Sequence, residues 1–521
     1  MNDFLNTETL IIELLVVVSI VAIVIRRLPI PYTVALVIVG LLFTFQPGLK
    51  IELTPELLLA LFLPPLVFEA AFHVDLVKLR ESLVPILVLA VPGVLITTGI
   101  VGFIISAGAG LALPVALVFG ALISATDPVA VIALFRSLGA PRSLSTIVES
   151  ESLLNDGTAI VVFNLALAAA VAAATGQGNQ ELNLFSAVIE FIRVSAGGLL
   201  IGAGLGWLVY NILQRVDDYL IEITLTTVLA FGAYLVAERL HFSGVLAVLG
   251  AGIINGNLGP KGMSPTTRIV LFNFWEYLAF LANSLVFLLI GLDVDLSLLV
   301  SNIQPIIIAV LAVLISRVVV VYGLNFLINM RGVRVPLPYQ HVLFWGGLRG
   351  AVGLALALSL PASLAERDLL RVMAFGVVLF TLLFQGTTIR WLLKRLGLLR
   401  QEEGRAEYER QYGRLMMANA AREQLQQLHS HSAISSDVWG RLSLQLEDES
   451  KSLLELQKQL LTEQPALAAA ELLSVEREML RARRARLGDL ARDGIISEVV
   501  YQELSAEVDD RLVTLENEKL A

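Results

Sequence analysis

Glu149-Ser150-Glu151-Ser152-Leu153-Leu154-Asn155-Asp156-Gly157-Thr158-Ala159-Ile160-Val161-Val162-Phe163 is the stretch that decides the fold. It packs three carboxylates, two serines and an asparagine into residues 149–156 and runs without a break into an apolar helix. In a soluble protein this would be the capped, polar start of an amphipathic helix. Here the apolar continuation reaches about residue 173, and its length suits a bilayer crossing of roughly 20 residues. Ionisable groups in that setting are expensive and are kept where function needs them. Helical spacing sorts them into stripes: Ser152 and Asp156, four apart, share one face, and Glu151 and Asn155 form the next.

The rest of the 521-residue chain fits a membrane setting, with 56% hydrophobic and only 16% charged residues, far from the balance of a soluble domain. Cutting at polar, Gly- or Pro-marked breaks gives about thirteen apolar segments, at 9–26, 31–46, 55–72, 83–107, 113–135, 144–173, 184–213, 219–238, 243–256, 270–291, 301–328, 339–359 and 369–393. The first has acids before it and Arg26-Arg27 after it, the reverse of a cleavable signal peptide, and reads as a retained span. Arg26, Arg27, Lys78, Arg80, Arg136, Arg142, Arg215, Lys261, Arg268, Arg331 and Arg334 all follow odd-numbered segments. Because Lys and Arg gather in cytoplasmic loops, the N-terminus is expected outside and the C-terminal tail inside.

After Lys394-Arg395 the composition turns to Glu, Arg, Gln, Leu and Ala at helical spacing, with breaks near residues 432–435 and at Pro465. Residues 1–395 are thus expected to form a transmembrane domain and 396–521 a soluble helical tail, either a dimer-stabilising bundle or a regulatory element. The tail carries 23 Asp+Glu against 16 Lys+Arg and so most of the net charge of −9. No basic surface for nucleic acid results. The absence of cysteine excludes disulfides, thiol catalysis and thiolate-bound metals.

Ser124-Ala125-Thr126-Asp127-Pro128 lies inside segment 113–135. Pro128 has no N–H and its ring crowds the Ser124 carbonyl, so the helix is expected to bend or unwind there, freeing carbonyls to face a cavity or cation, with Asp127 as cap or ligand. An oxygen-only set suits a hard cation such as Na⁺ or Li⁺, and Asp156 can hold either that cation or a proton. Competition for one carboxylate is exchange. Arg317, in Leu314-Ile315-Ser316-Arg317-Val318-Val319, and Arg349, in Trp345-Gly346-Gly347-Leu348-Arg349-Gly350-Ala351, need partners within the membrane, for which Glu151 and Asp127 are the available counter-charges. Glu69, just after Pro64-Pro65, reads as an accessory acid lining a cavity or as a solvated interfacial glutamate. His73, His241 and His341 fall near segment ends and read as ordinary interfacial histidines.

In Ala125-Thr126-Asp127-Pro128-Val129-Ala130-Val131, Glu151-Ser152-Leu153-Leu154-Asn155-Asp156 and Gly347-Leu348-Arg349-Gly350-Ala351 the chain resembles monovalent cation/proton antiporter family 1, the sodium/proton exchanger family, over essentially residues 9–395. The stretch from Glu149 to Phe163 looks especially like the plant plasma-membrane salt-tolerance exchangers and their bacterial relatives. The resemblance implies an all-α polytopic membrane protein with thirteen helices in inverted repeats, two crossed discontinuous helices, and a homodimer. In it, a six-helix core of segments four to six and eleven to thirteen moves against a dimerisation domain. It implies Asp156 as ion and proton carrier, with Ser152 and the Thr126 backbone as Na⁺ co-ligands. It has Asp127, Asn155 and Arg349 holding the crossing and Glu151 paired with Arg317. In the electrogenic branch two adjacent aspartates stand where this chain has Asn155-Asp156, so the resemblance implies electroneutral one-for-one exchange.

The reading from residues and resemblance together is a secondary active antiporter of the bacterial cytoplasmic membrane, exchanging Na⁺ or Li⁺ for H⁺ by alternating access. It is not an enzyme and needs no cofactor. K⁺/H⁺ exchange by the same mechanism is the alternative. A cation channel is disfavoured by the lack of repeated rings or a filter. The glycine-framed aspartate and the glycine-preceded serine of intramembrane proteases are missing.

Overall fold

A backbone surrounded by lipid can satisfy its polar groups only within its own segment or a closed barrel, and among the described residues every regular element is helical. The computed structural model describes residues 2–25, 31–43, 57–138, 141–174, 184–216, 218–259, 265–293, 296–330, 335–398, 403–431, 433–463 and 465–518. The chain divides into two compact units, Met1–Arg400 and Gln401–Ala521.

In the first unit seven helices among the described residues are long and apolar enough to cross a membrane, from Leu83–Ala109 to Arg367–Arg395. Other apolar helices are shorter, among them Tyr32–Phe43 and Gly244–Leu258. Among the described residues two of the apolar segments are interrupted for several residues: Leu113–Leu122 is followed by Val129–Leu138, and Leu337–Trp345 by Ala351–Leu358. Pro128 stands at the first break, and Gly346, Gly347 and Gly350 at the second. Arg26, Arg27, Lys261, Arg331 and Arg334, which bear on the orientation, lie outside the described residues.

Leu113–Leu122 packs on Pro92–Ala109, Arg142–Ala174 and Ala351–Leu358, while Pro265–Asp293 packs on Tyr32–Phe43 and Leu63–His73. Leu184–Leu213 lies along Gly244–Leu258, and Gly202 is what lets them meet, since a Cβ there would collide with the Ala247 carbonyl.

Among the described residues the second unit holds four helices, Glu403–Ser430, Ser436–Glu463, Pro465–Arg492 and Glu498–Glu518. They pair as two hairpins, the first around a small core of Leu415, Ala418 and Leu453. Arg511 pairs with Glu476 at 2.7 Å across the second hairpin.

Candidate functional site

The two interruptions meet. Where Leu113–Leu122 ends, the chain runs unwound through Ser124, Ala125 and Thr126 before helix resumes at Val129, and Asp127 caps that restart by accepting the Val129 N–H at 2.9 Å. The Asp127 backbone N–H donates to the Leu348 carbonyl of the other break at 2.8 Å. Gly350 is required at the contact, because a Cβ there would overlap the Asp127 side chain.

Arg142–Ala174 passes beside this crossing and presents its polar stripe. The Ser152 hydroxyl donates to the Thr126 carbonyl, and Asn155 Nδ2 donates to Thr126 Oγ1 at 3.1 Å. One turn on from Ser152, Asp156 Oδ1 is buried with no hydrogen-bond partner among the described residues. A buried carboxylate oxygen without a donor is a strong ligand for a cation or a proton. The geometry thus gathers Thr126, Ser152, Asn155 and Asp156 around the unwound turn.

The arginines take different partners. Arg317 Nη1 lies 3.0 Å from Glu151 Oε1, both side chains buried, and its Nε and Nη2 reach the Leu343 carbonyl at 3.2 and 2.9 Å. Arg349 Nη1 donates to the Ser124 and Ala125 carbonyls at 2.6 and 3.0 Å, so its direct partners are backbone oxygens and not Asp127. The reason is electrostatic: those carbonyls follow the negative end of Leu113–Leu122, while Asp127 already serves the positive start of Val129–Leu138.

A cavity of about 750 Å³ opens onto the crossing, with Thr126, Asp127, Ser152 and Asp156 in its lining. Glu69 lines it too, and its Oε1 lies 3.3 Å from His73 Nδ1. His341 instead bonds the Tyr322 hydroxyl at 2.7 Å, and His241 stands at a turn with φ of 58°. Three further residues not singled out above reach the cavity, Glu276 and Asn283 from Pro265–Asp293 and Arg390 from Gly386–Arg395. Glu276 carried the signal of an ionisable group in a span, and residues 276, 279, 280 and 283 follow one helix face.

A family model described as sodium/hydrogen exchanger, transmembrane, matches residues 14–395. The Na(+)/H(+) antiporter ApNhaP of Aphanothece halophytica is 42% identical over 76% of this chain and 74% of its own length. The low-affinity Na(+)/H(+) antiporter NhaS1 of Synechocystis sp. (strain ATCC 27184 / PCC 6803 / Kazusa) is 37% identical over 94% of this chain and 92% of its own. In fold, the chain is similar to the solved sodium proton antiporter MjNhaP1 from Methanocaldococcus jannaschii, with a TM-score of 0.62 at 22% identity, covering 76% of this chain and 99% of that one.

Proposed function

The chain belongs to the sodium/hydrogen exchanger family, a family of integral membrane transporters, and from that premise we propose that it exchanges Na⁺ for H⁺ one for one, with Asp156 as the shared site. The observation that carries the reading is the buried, unpartnered Oδ1 of Asp156 beside the unwound Thr126 turn and open to the cavity through its residue. Na⁺ is cargo here, held by the Asp156 carboxylate with the Ser152 hydroxyl and the Thr126 carbonyl as further oxygens. Bare, the charged carboxylate costs too much to carry across a low-dielectric barrier; loaded with either Na⁺ or a proton it is neutral and can be re-exposed on the other side. The two gradients are coupled because the unloaded site cannot cross.

Asn155 stands next to Asp156 and is neutral, so the loaded site carries no net charge with either cargo, which supports electroneutral exchange. Glu151 and Arg317 form a support pair and Asp127, Asn155 and Arg349 a frame. Glu69 is an accessory acid on the cavity wall. In this reading residues 1–395 cross the bilayer thirteen times as inverted repeats and dimerise, with the N-terminus outside. Residues 396–521 are a soluble helical tail on the cytoplasmic side of a bacterial cytoplasmic membrane, either a dimer-stabilising bundle or a regulatory element.

The test is reconstitution into acid-loaded vesicles, following dissipation of the pH gradient on adding Na⁺, Li⁺ or K⁺ with and without a voltage-clamping ionophore. Dissipation by Na⁺ or Li⁺ that is indifferent to the clamp supports the proposal. A response to K⁺ that equals or exceeds that to Na⁺ changes the substrate, and a rate that follows the clamp removes electroneutrality.

A further inference from the structure

The helix Arg367–Phe380 continues through one π-helical turn, Thr381–Gln385, into Gly386–Arg395. Such turns in otherwise α-helical spans recur at functional positions because they re-aim side chains. Here Thr381 opens the turn, is buried, and accepts the backbone N–H of Arg349 on its Oγ1 at 3.1 Å while donating to its own Val378 carbonyl at 3.0 Å. That N–H belongs to the unwound stretch of the second interrupted helix, where the ladder offers it no acceptor.

We propose that Thr381 is a positioning residue for the ion site, acting through Arg349. The contacts form a chain: Thr381 fixes the Arg349 backbone, Arg349 Nη1 holds the Ser124 and Ala125 carbonyls, and the next carbonyl, that of Thr126, takes the Ser152 hydroxyl. Arg349 Nε is buried without a partner among the described residues, so the guanidinium is aimed by its backbone anchor and by Nη1 more than by a bidentate clamp. Removing the hydroxyl leaves a buried N–H unsatisfied and frees the arginine to drift, which loosens the oxygens that meet the cation. Catalytic contact with the cargo is left to the residues named above. This inference rests on the proposed ion site.

Thr381→Val keeps the shape and deletes the acceptor. With exchange measured in vesicles per reconstituted protein, it is expected to raise the apparent KM for Na⁺ about ten-fold, as loss of a buried hydrogen bond would, with kcat within about two-fold. Thr381→Ser keeps the hydroxyl and is expected to behave as wild type. Thr388→Val removes another hydroxyl of the same span, whose partner is Trp345 Nε1 at 2.8 Å, at the edge of the break, and not the Arg349 backbone, and is expected to leave KM unchanged. A wild-type KM in Thr381→Val, an equal defect in Thr381→Ser, or an equal rise in Thr388→Val overturns the inference. If Thr381→Val yields no folded protein, Thr381→Cys, whose sulfur is a weak acceptor, carries the same test: a raised KM supports the inference and a wild-type KM overturns it. Wild-type protein that exchanges none of Na⁺, Li⁺ and K⁺ overturns the functional reading, and this inference with it.

Discussion

The backbone N–H of Asp127 donates to the carbonyl of Leu348 at 2.8 Å, so the two interrupted helices satisfy each other at the points where each loses its own ladder. Irregular backbone at membrane depth is tolerated only when buried in protein or lining a cavity, and this contact achieves both. It also puts Asp127 against Gly350, with no room for a side chain between them.

Gly350→Ala is therefore expected to force the breaks apart, costing about 1–3 kcal/mol of overpacking and lowering exchange at least about ten-fold. Gly204→Ala, where an added Cβ would meet nothing within 4 Å, is the control and is expected to be neutral. Initial exchange rates of the two variants check this, and equal rates would remove the close-contact argument.

The Glu151–Arg317 pair is buried, and losing one member strands the other. Arg317→Met or Glu151→Gln alone is expected to lower stability by about 3–5 kcal/mol, while the double variant Glu151→Gln/Arg317→Met costs clearly less than the sum of the singles. Thermal unfolding in detergent measures this. Strict additivity would mean that the pair, at 3.0 Å, contributes no coupling.

Much of the site is legible in the sequence because charge in an apolar span stands out. Asp127, Asp156, Glu151, Arg317 and Arg349 are visible for that reason, and Pro128 marks the first break. What the sequence withholds is direction. Arg349 could have faced Asp127, yet it turns to the Ser124 and Ala125 carbonyls, since carbonyls freed by unwinding are as good a partner for a guanidinium as a carboxylate already used as a cap. Glu276 shows the same charge signal, but its bearing on the cavity depends on which face of Pro265–Asp293 turns inward. Thr381 gives no signal at all, because span hydroxyls commonly bond their own helix, as it also does. The count of long uninterrupted helices falls below the number of apolar segments partly because Pro128 and the glycines near Arg349 divide two of them.

In the second unit burial pushes the Tyr408 hydroxyl up to about 12; its hydrogen bond to Glu471 acts the same way and that from Gln457 opposes it. Folding thus favours the protonated phenol. That preference is fully present below the ordinary tyrosine value of about 10 and is lost as pH rises toward 12. A difference titration at the tyrosinate band, wild type minus Tyr408→Phe, is expected to show a midpoint near 12 and not near 10. A midpoint near 10 would mean that Tyr408 is solvated.

In the proposed mechanism one carboxylate, Asp156, carries both cargoes. The most direct measurement is Na⁺-driven dissipation of a pH gradient in vesicles holding wild type or Asp156→Asn at matched protein density. Rapid dissipation is expected in wild type and none above empty vesicles in Asp156→Asn, because an amide can neither release a proton nor neutralise Na⁺. Exchange by Asp156→Asn at the wild-type rate would contradict it and move the site to Asp127 or Glu69.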